Sequence, residues 1–114
     1  MKIEQFEIWI ADLNLRMGTE AGKRRPVLIV QTNLLNSIPH PSTLICPLTT
    51  RISDKAEVLR VHLARGTAQL AQLCDVMLDQ VRVIDNRRLV KKTGRLPEDL
   101  ARKIKENLKI VFDL

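Results

Sequence analysis

Arg25-Pro26-Val27-Leu28-Ile29-Val30-Gln31 is the stretch on which the fold class of this chain turns. Val27, Ile29 and Val30 are β-branched, and the run follows a proline, which strands tolerate at their first residues or edges. It reads as a short buried strand entered through a cation whose position the strand holds. Upstream, Phe6 to Asp12 alternates, with Phe6, Ile8 and Ile10 on one side and Glu7, Trp9 and Ala11 on the other. That period of two predicts a half-buried strand. Between the two lies Asn14 to Arg25, with Gly18, Gly22 and no apolar periodicity.

Downstream, Thr32 to Ser42 reads as a loop, and Thr43 to Cys46 as a strand stopped by Pro47. Val58 to Leu63 and Cys74 to Ile84 add β segments, with Arg65-Gly66-Thr67 as a turn between them. The period then changes. Pro97, Glu98 and Asp99 suit a helix start, and Leu100, Ala101, Ile104, Leu108 and Val111 recur every three or four residues. Five or more short strands and a terminal helix predict a mainly β chain. The expected architecture is a small closed or half-open barrel capped by the helix, one domain over residues 1–114.

Composition narrows the function. Apolar residues make up 45% and charged residues 28%, ordinary for a globular chain. Aromatics are 3% with no Tyr, which argues against a base-stacking platform. Apolar runs such as Val27 to Val30 fall far short of the ~18–20 residues that span a bilayer. Met1-Lys2-Ile3-Glu4-Gln5 lacks the apolar stretch of a signal peptide. No membrane partner is expected. Cys46 and Cys74 read as buried thiols in a reducing cytoplasm.

The net charge of +6 is uneven. Residues 82–105 hold nine basic side chains (Arg82, Arg87, Arg88, Lys91, Lys92, Arg95, Arg102, Lys103, Lys105) and three acidic ones (Asp85, Glu98, Asp99). An anionic partner is the natural inference, and a solvated basic face the plainer alternative.

Three segments place reactive groups beside rigid strands. Gly18-Thr19-Glu20-Ala21-Gly22-Lys23-Arg24-Arg25 combines a hydroxyl, a carboxylate and three successive cations. Arg25, set by the strand it precedes, can grip a phosphate bidentately and stabilise charge building on it. Glu20 is a possible general base or acid. Pro47-Leu48-Thr49-Thr50-Arg51 offers two hydroxyls and a cation at a strand end. Arg82 to Lys92 is cationic, with Asp79 and Gln80 just before it. Each could equally be a charged surface, a strand edge or a solvated face. His40 and His62 lie 22 residues apart and read as ordinary surface or strand histidines.

In this order the segments resemble the MazF/PemK family of toxin endoribonucleases. The resemblance is carried by Trp9-Ile10-Ala11-Asp12-Leu13, Gly18-Thr19-Glu20, Gly22 and Arg25 through Gln31. Asn36, Pro47-Leu48-Thr49, Leu78-Asp79-Gln80-Val81-Arg82, Ile84-Asp85 and Leu89 through Gly94 extend it over nearly the whole chain. It implies an SH3-like barrel with a C-terminal helix, a homodimer, and cleavage of single-stranded RNA with neither metal nor cofactor. The implied reaction is attack of a ribose 2′-OH on the adjacent phosphate, leaving 2′,3′-cyclic phosphate and 5′-OH ends. Arg25 takes the family's arginine position, Thr49 its threonine, Glu20 its loop carboxylate and Thr19 its serine.

Such chemistry needs a base for the 2′-OH, an acid for the 5′-oxygen and donors for the phosphorane. Arg25 suits the phosphorane, Thr49 a non-bridging oxygen and Glu20 the base. Thr19, Lys23, Arg24, Gln31, Asn36, Thr50, Arg51, Gln80 and Arg82 are expected to hold the RNA. The resemblance also implies a cognate antitoxin. The chain departs from the family at Gln5-Phe6-Glu7, at Thr19, at Lys23-Arg24 and at Gln31-Thr32-Asn33. Two alternatives are a CcdB-like gyrase poison and a non-catalytic nucleic-acid-binding barrel. The first needs a C-terminal tryptophan, whereas the single tryptophan is Trp9. The second has no need for Arg25, Glu20 and Thr49 together.

Overall fold

A computed structural model describes residues 2–13 and 23–114. Seven strands are described: β1 (Glu7–Asp12), β2 (Arg24–Ile29), β3 (Ser42–Thr49), β4 (Arg60–Leu63), β5 (Cys74–Met77), β6 (Arg82–Asp85) and β7 (Leu89–Arg95). A one-turn helix, α1 (Asn33–Asn36), follows β2, and α2 (Glu98–Phe112) closes the chain. The antiparallel sheet runs β4-β5-β3-β2-β1-β7, with β6 also paired to β3. The ends of this path, β4 and β7, are not joined by a ladder, so the SH3-like barrel is half-open. The 3-10 turn Thr67–Gln69, between β4 and β5, packs against β7 instead.

Both faces of the central strands are buried. Ile8, Leu28, Cys46 and Leu48 point into one apolar cluster, which also receives Phe6, Leu63, Leu78 and Ile104 of α2. Trp9, Ala11, Val27, Ile29 and Ile45 point into a second with Leu13, Ile84 and Leu89. The half-buried reading of β1 is therefore corrected. Its second face looks polar in sequence because Glu7 lies there, yet Glu7 is buried and fully partnered. Its carboxylate accepts bonds from Glu4 N (2.9 Å), Trp9 Nε1 (3.0 Å) and Lys92 Nζ (3.2 Å).

Pro47 does not stop β3. Carbonyls of Leu44 and Leu48 face β2, where they accept from Val30 N and Arg25 Nη1. By alternation the ring nitrogen of Pro47 faces the opposite edge. On that edge β6 pairs only as far as Ile45 and β5 begins at Leu48, so no ladder donor is required at Pro47. The gap arises from the 3-10 turn Leu78–Gln80 between β5 and β6. α2 follows the predicted pattern, with Ile104 buried and Leu100, Ala101, Leu108 and Val111 packed on the first cluster. Pro97 stands one residue ahead of the helix, where its carbonyl accepts from Ala101 N.

The cationic stretch expected at Arg82 to Lys92 runs into a strand, β7. It pairs with β1, and Gly94 is required there by close approach. A Cβ at Gly94 would lie 2.6 Å from the carbonyl oxygen of Ala68. Gly94→Ala is expected to cost about 1–3 kcal/mol by overpacking, read as a lowered Tm. An unchanged Tm would contradict this packing.

Burial, with the Asp79 carboxylate adding to it, pushes the Cys46 thiol up to about 12 from an ordinary 9.0. Folding favours the protonated thiol, so this contribution is complete below pH 9.0 and fades as pH rises toward 12. A thiol reagent at about pH 8 should label Cys46 only after unfolding. Labelling of the native chain would count against the burial described.

Candidate active site

β2 and β3 pair through Val27↔Pro47, Leu28↔Cys46 and Ile29↔Ile45. Continuing this register two residues toward the start of β2 sets Arg25 directly opposite Thr49. Residues opposed in this way share a face, with Cβ atoms about 5 Å apart. The register is supported at the site itself, because Arg25 Nη1 donates to the Leu48 carbonyl at 3.2 Å. On its other side Arg25 is paired with Ala11, a buried small side chain that leaves the guanidinium room. Arg25 and Thr49, 24 positions apart in sequence, thus flank one spot at the sheet end. A phosphate fits between a fixed guanidinium and a hydroxyl at that separation.

Thr49 Oγ1 accepts from Arg51 N at 3.1 Å, which leaves the hydroxyl proton to donate elsewhere. Thr50 and Arg51 follow it, both exposed. Lys23 and Arg24 are exposed on the β2 side, and Lys23 O accepts from Leu13 N to close the β1–β2 ladder. Lys23, Arg24, Thr50 and Arg51 thus put exposed hydroxyl and cationic donors next to Arg25 and Thr49 along the chain, with Arg24 on the opposite face of β2 from Arg25. Thr19 and Glu20 lie outside the described residues.

The remaining expected contacts are placed elsewhere. Gln31 follows the far end of β2, about 20 Å along the strand from Arg25. It is buried, and its carboxamide donates to Asn36 Oδ1 (2.9 Å) and accepts from Leu44 N (3.2 Å). Asn36 Nδ2 in turn donates to Gln31 O and Asn33 Oδ1, so this pair holds α1 against the sheet. Gln80 belongs to the 3-10 turn opposite the Pro47 gap, and Arg82 pairs with Ile45.

Much of the basic block is engaged within the fold. Lys92 meets the buried Glu7, Arg95 meets Glu4 at 2.8 Å, and Arg87 meets Asp85 at 3.0 Å. Arg87 holds the Asp85 carboxyl down at about 2, and Arg95 is the main group lowering Glu4. Arg88 donates to the Asp12 carbonyl, and Lys105 lies 5.5 Å from the Phe6 ring centre. Among the described residues no three His, Cys, Asp or Glu side chains gather as a metal site. No described helix is long and apolar enough to cross a membrane.

Residues 4–112 match the family model described as PemK-like, MazF-like toxin of type II toxin–antitoxin system. The chain is 27% identical over 114 residues to endoribonuclease EndoA of Bacillus subtilis (strain 168), covering 100% of this chain and 97% of that protein. Among solved structures it is similar to MazF (form I) from Deinococcus radiodurans. The TM-score is 0.82 at 21% identity, over 100% of this chain and 99% of that one. It is also similar to a MazE–MazF crystal structure (form II) from the same organism. There the TM-score is 0.75 at 21% identity, over 100% and 98% of the two chains.

Proposed function

The chain belongs to the family of PemK-like, MazF-like toxins of type II toxin–antitoxin systems. From that premise we propose that it is an endoribonuclease that cuts single-stranded RNA between Arg25 and Thr49. The observation that carries this reading is the β2–β3 register, which sets the two side chains face to face. The ribose 2′-OH attacks the adjacent phosphorus, the P–O5′ bond breaks, and the leaving 5′-oxygen takes a proton from solvent water, giving 2′,3′-cyclic phosphate and 5′-OH ends. Arg25 bears the charge that develops on the phosphorane, and Thr49 donates to a non-bridging oxygen. Glu20 accepts the 2′-OH proton. No metal is assigned to any step, and DNA is refused for want of the 2′-OH. Lys23, Arg24, Thr50 and Arg51 hold the flanking phosphates, so binding weakens with salt at a slope of about −0.7 per phosphate neutralised.

Arg25→Ala and Thr49→Ala should each lower the cleavage rate roughly 10²–10⁴-fold with Tm within a few degrees of the parent. An Arg25→Ala chain as active as the parent would overturn this assignment.

Two partners complete the reading. A cognate antitoxin with an acidic segment covers the cations beside the site and blocks RNA; a similar chain is solved together with MazE. Cleavage that persists in excess antitoxin would refute that. The second partner is another copy of the chain. Leu44 and Val83 are paired across β3 and β6 yet 41% and 56% exposed, with Leu34 and Ile38 also exposed. Covering such an apolar face favours self-association. Val83→Glu should convert a dimer to a monomer in sedimentation while the chain stays folded. A parent that is already monomeric at micromolar concentration would refute pairing.

A further inference from the structure

Asp75 is directly opposite Thr49 across β3–β5, and directly opposite His62 across β4–β5. With the β2–β3 register this forms one row over four strands: Arg25, Thr49, Asp75, His62. Asp75 is completely buried. A charge in such a place is costly unless every lone pair is used, and an apolar residue would fill the same space in β5 more cheaply. Here both carboxylate oxygens are engaged. Oδ2 accepts from Ser53 N at 2.9 Å and from Arg60 Nη1 at 3.1 Å, and Oδ1 is bonded to His62 Nδ1.

The two partners of Oδ2 converge on the turn that follows Thr49. Arg60 Nη1 also donates to the Arg51 carbonyl at 3.0 Å, while Arg51 N donates to Thr49 Oγ1. The Arg51 residue is therefore held at both ends, and the Ser53 amide is held two positions on. None of these groups has a strand partner in the irregular stretch 50–59. Without Asp75 they would turn to water, and the Arg51 amide would cease to fix the Thr49 hydroxyl.

We propose that Asp75 is a positioning residue for RNA cleavage, acting through Arg60 and the 51–53 turn to aim the Thr49 hydroxyl proton at the phosphate. This rests on the endoribonuclease reading above. Asp75 does not touch RNA, so its loss should act on turnover rather than on binding.

The test is steady-state cleavage of one oligoribonucleotide by the parent, Thr49→Ala, Asp75→Asn and the double variant, with Arg60→Gln alongside. A misplacement of about 1 Å costs up to ~10²-fold in rate. Asp75→Asn should therefore lower kcat about 10–100-fold with KM changed less than about threefold. In a Thr49→Ala background the same substitution should cause no further loss, because its route runs through Thr49. Should Asp75→Asn fail to fold, Arg60→Gln carries the same comparison with the carboxylate in place. Losses that multiply with Thr49→Ala, or a parental rate in both Asp75→Asn and Arg60→Gln, would overturn the positioning role alone. A parent that cuts no RNA would overturn the endoribonuclease reading and this inference with it.

Discussion

The pairing register of β2 with β3 is the constraint on which the site depends. A slip of one residue would send Thr49 to the face of Leu28 and Cys46 and leave Arg25 without its opposite. Slippage is resisted because both faces of both strands are committed. Val27, Ile29 and Ile45 fill one cluster, and Leu28, Cys46 and Leu48 fill the other, so any shift would bury the wrong set. Arg25 adds its own bond to the Leu48 carbonyl, tying the reactive end to the same register. Core packing and the placement of Arg25 against Thr49 are thus one problem, solved by one pair of strands.

The same economy governs the charges. Lys92, Arg95, Arg87 and Arg88 spend their donors on Glu7, Glu4, Asp85 and a backbone carbonyl. On the proposed reading, the cations adjoining Arg25 and Thr49 are the ones assigned to nucleic acid. Part of the dense basic block is architecture. Its strand β7 closes against β1 and brings Lys92 to a carboxylate that burial would otherwise leave uncompensated.

Several features were legible from residue order alone. The β-branched run after Pro26, the alternation before Asp12 and the three-four spacing after Pro97 each follow from local periodicity. The segments around Arg25 and Thr49 stand out because each adjoins a buried run, and the family resemblance picks those two residues within them. Other features depend on partners far away in sequence. Pro47 reads as a stop until the gap between β5 and β6 is known, and β7 reads as a solvated stretch until Glu7 is seen beneath Lys92. Gln31, an expected RNA contact, is turned inward by Asn36 and Leu44. Asp75 and His62 carry no local signal at all, since their meaning comes from cross-strand pairings, of Asp75 with Thr49 and of His62 with Asp75.

The most direct test of the account is to incubate the chain with a long single-stranded RNA in EDTA and identify the chemistry of every fragment end. A phosphate held between Arg25 and Thr49 and attacked by its neighbouring 2′-OH yields 2′,3′-cyclic phosphate and 5′-OH ends. Replacing the ribose at the cut by deoxyribose abolishes the product. Fragments bearing 5′-phosphate, cleavage that requires added divalent cation, or cutting at a deoxyribose would contradict it.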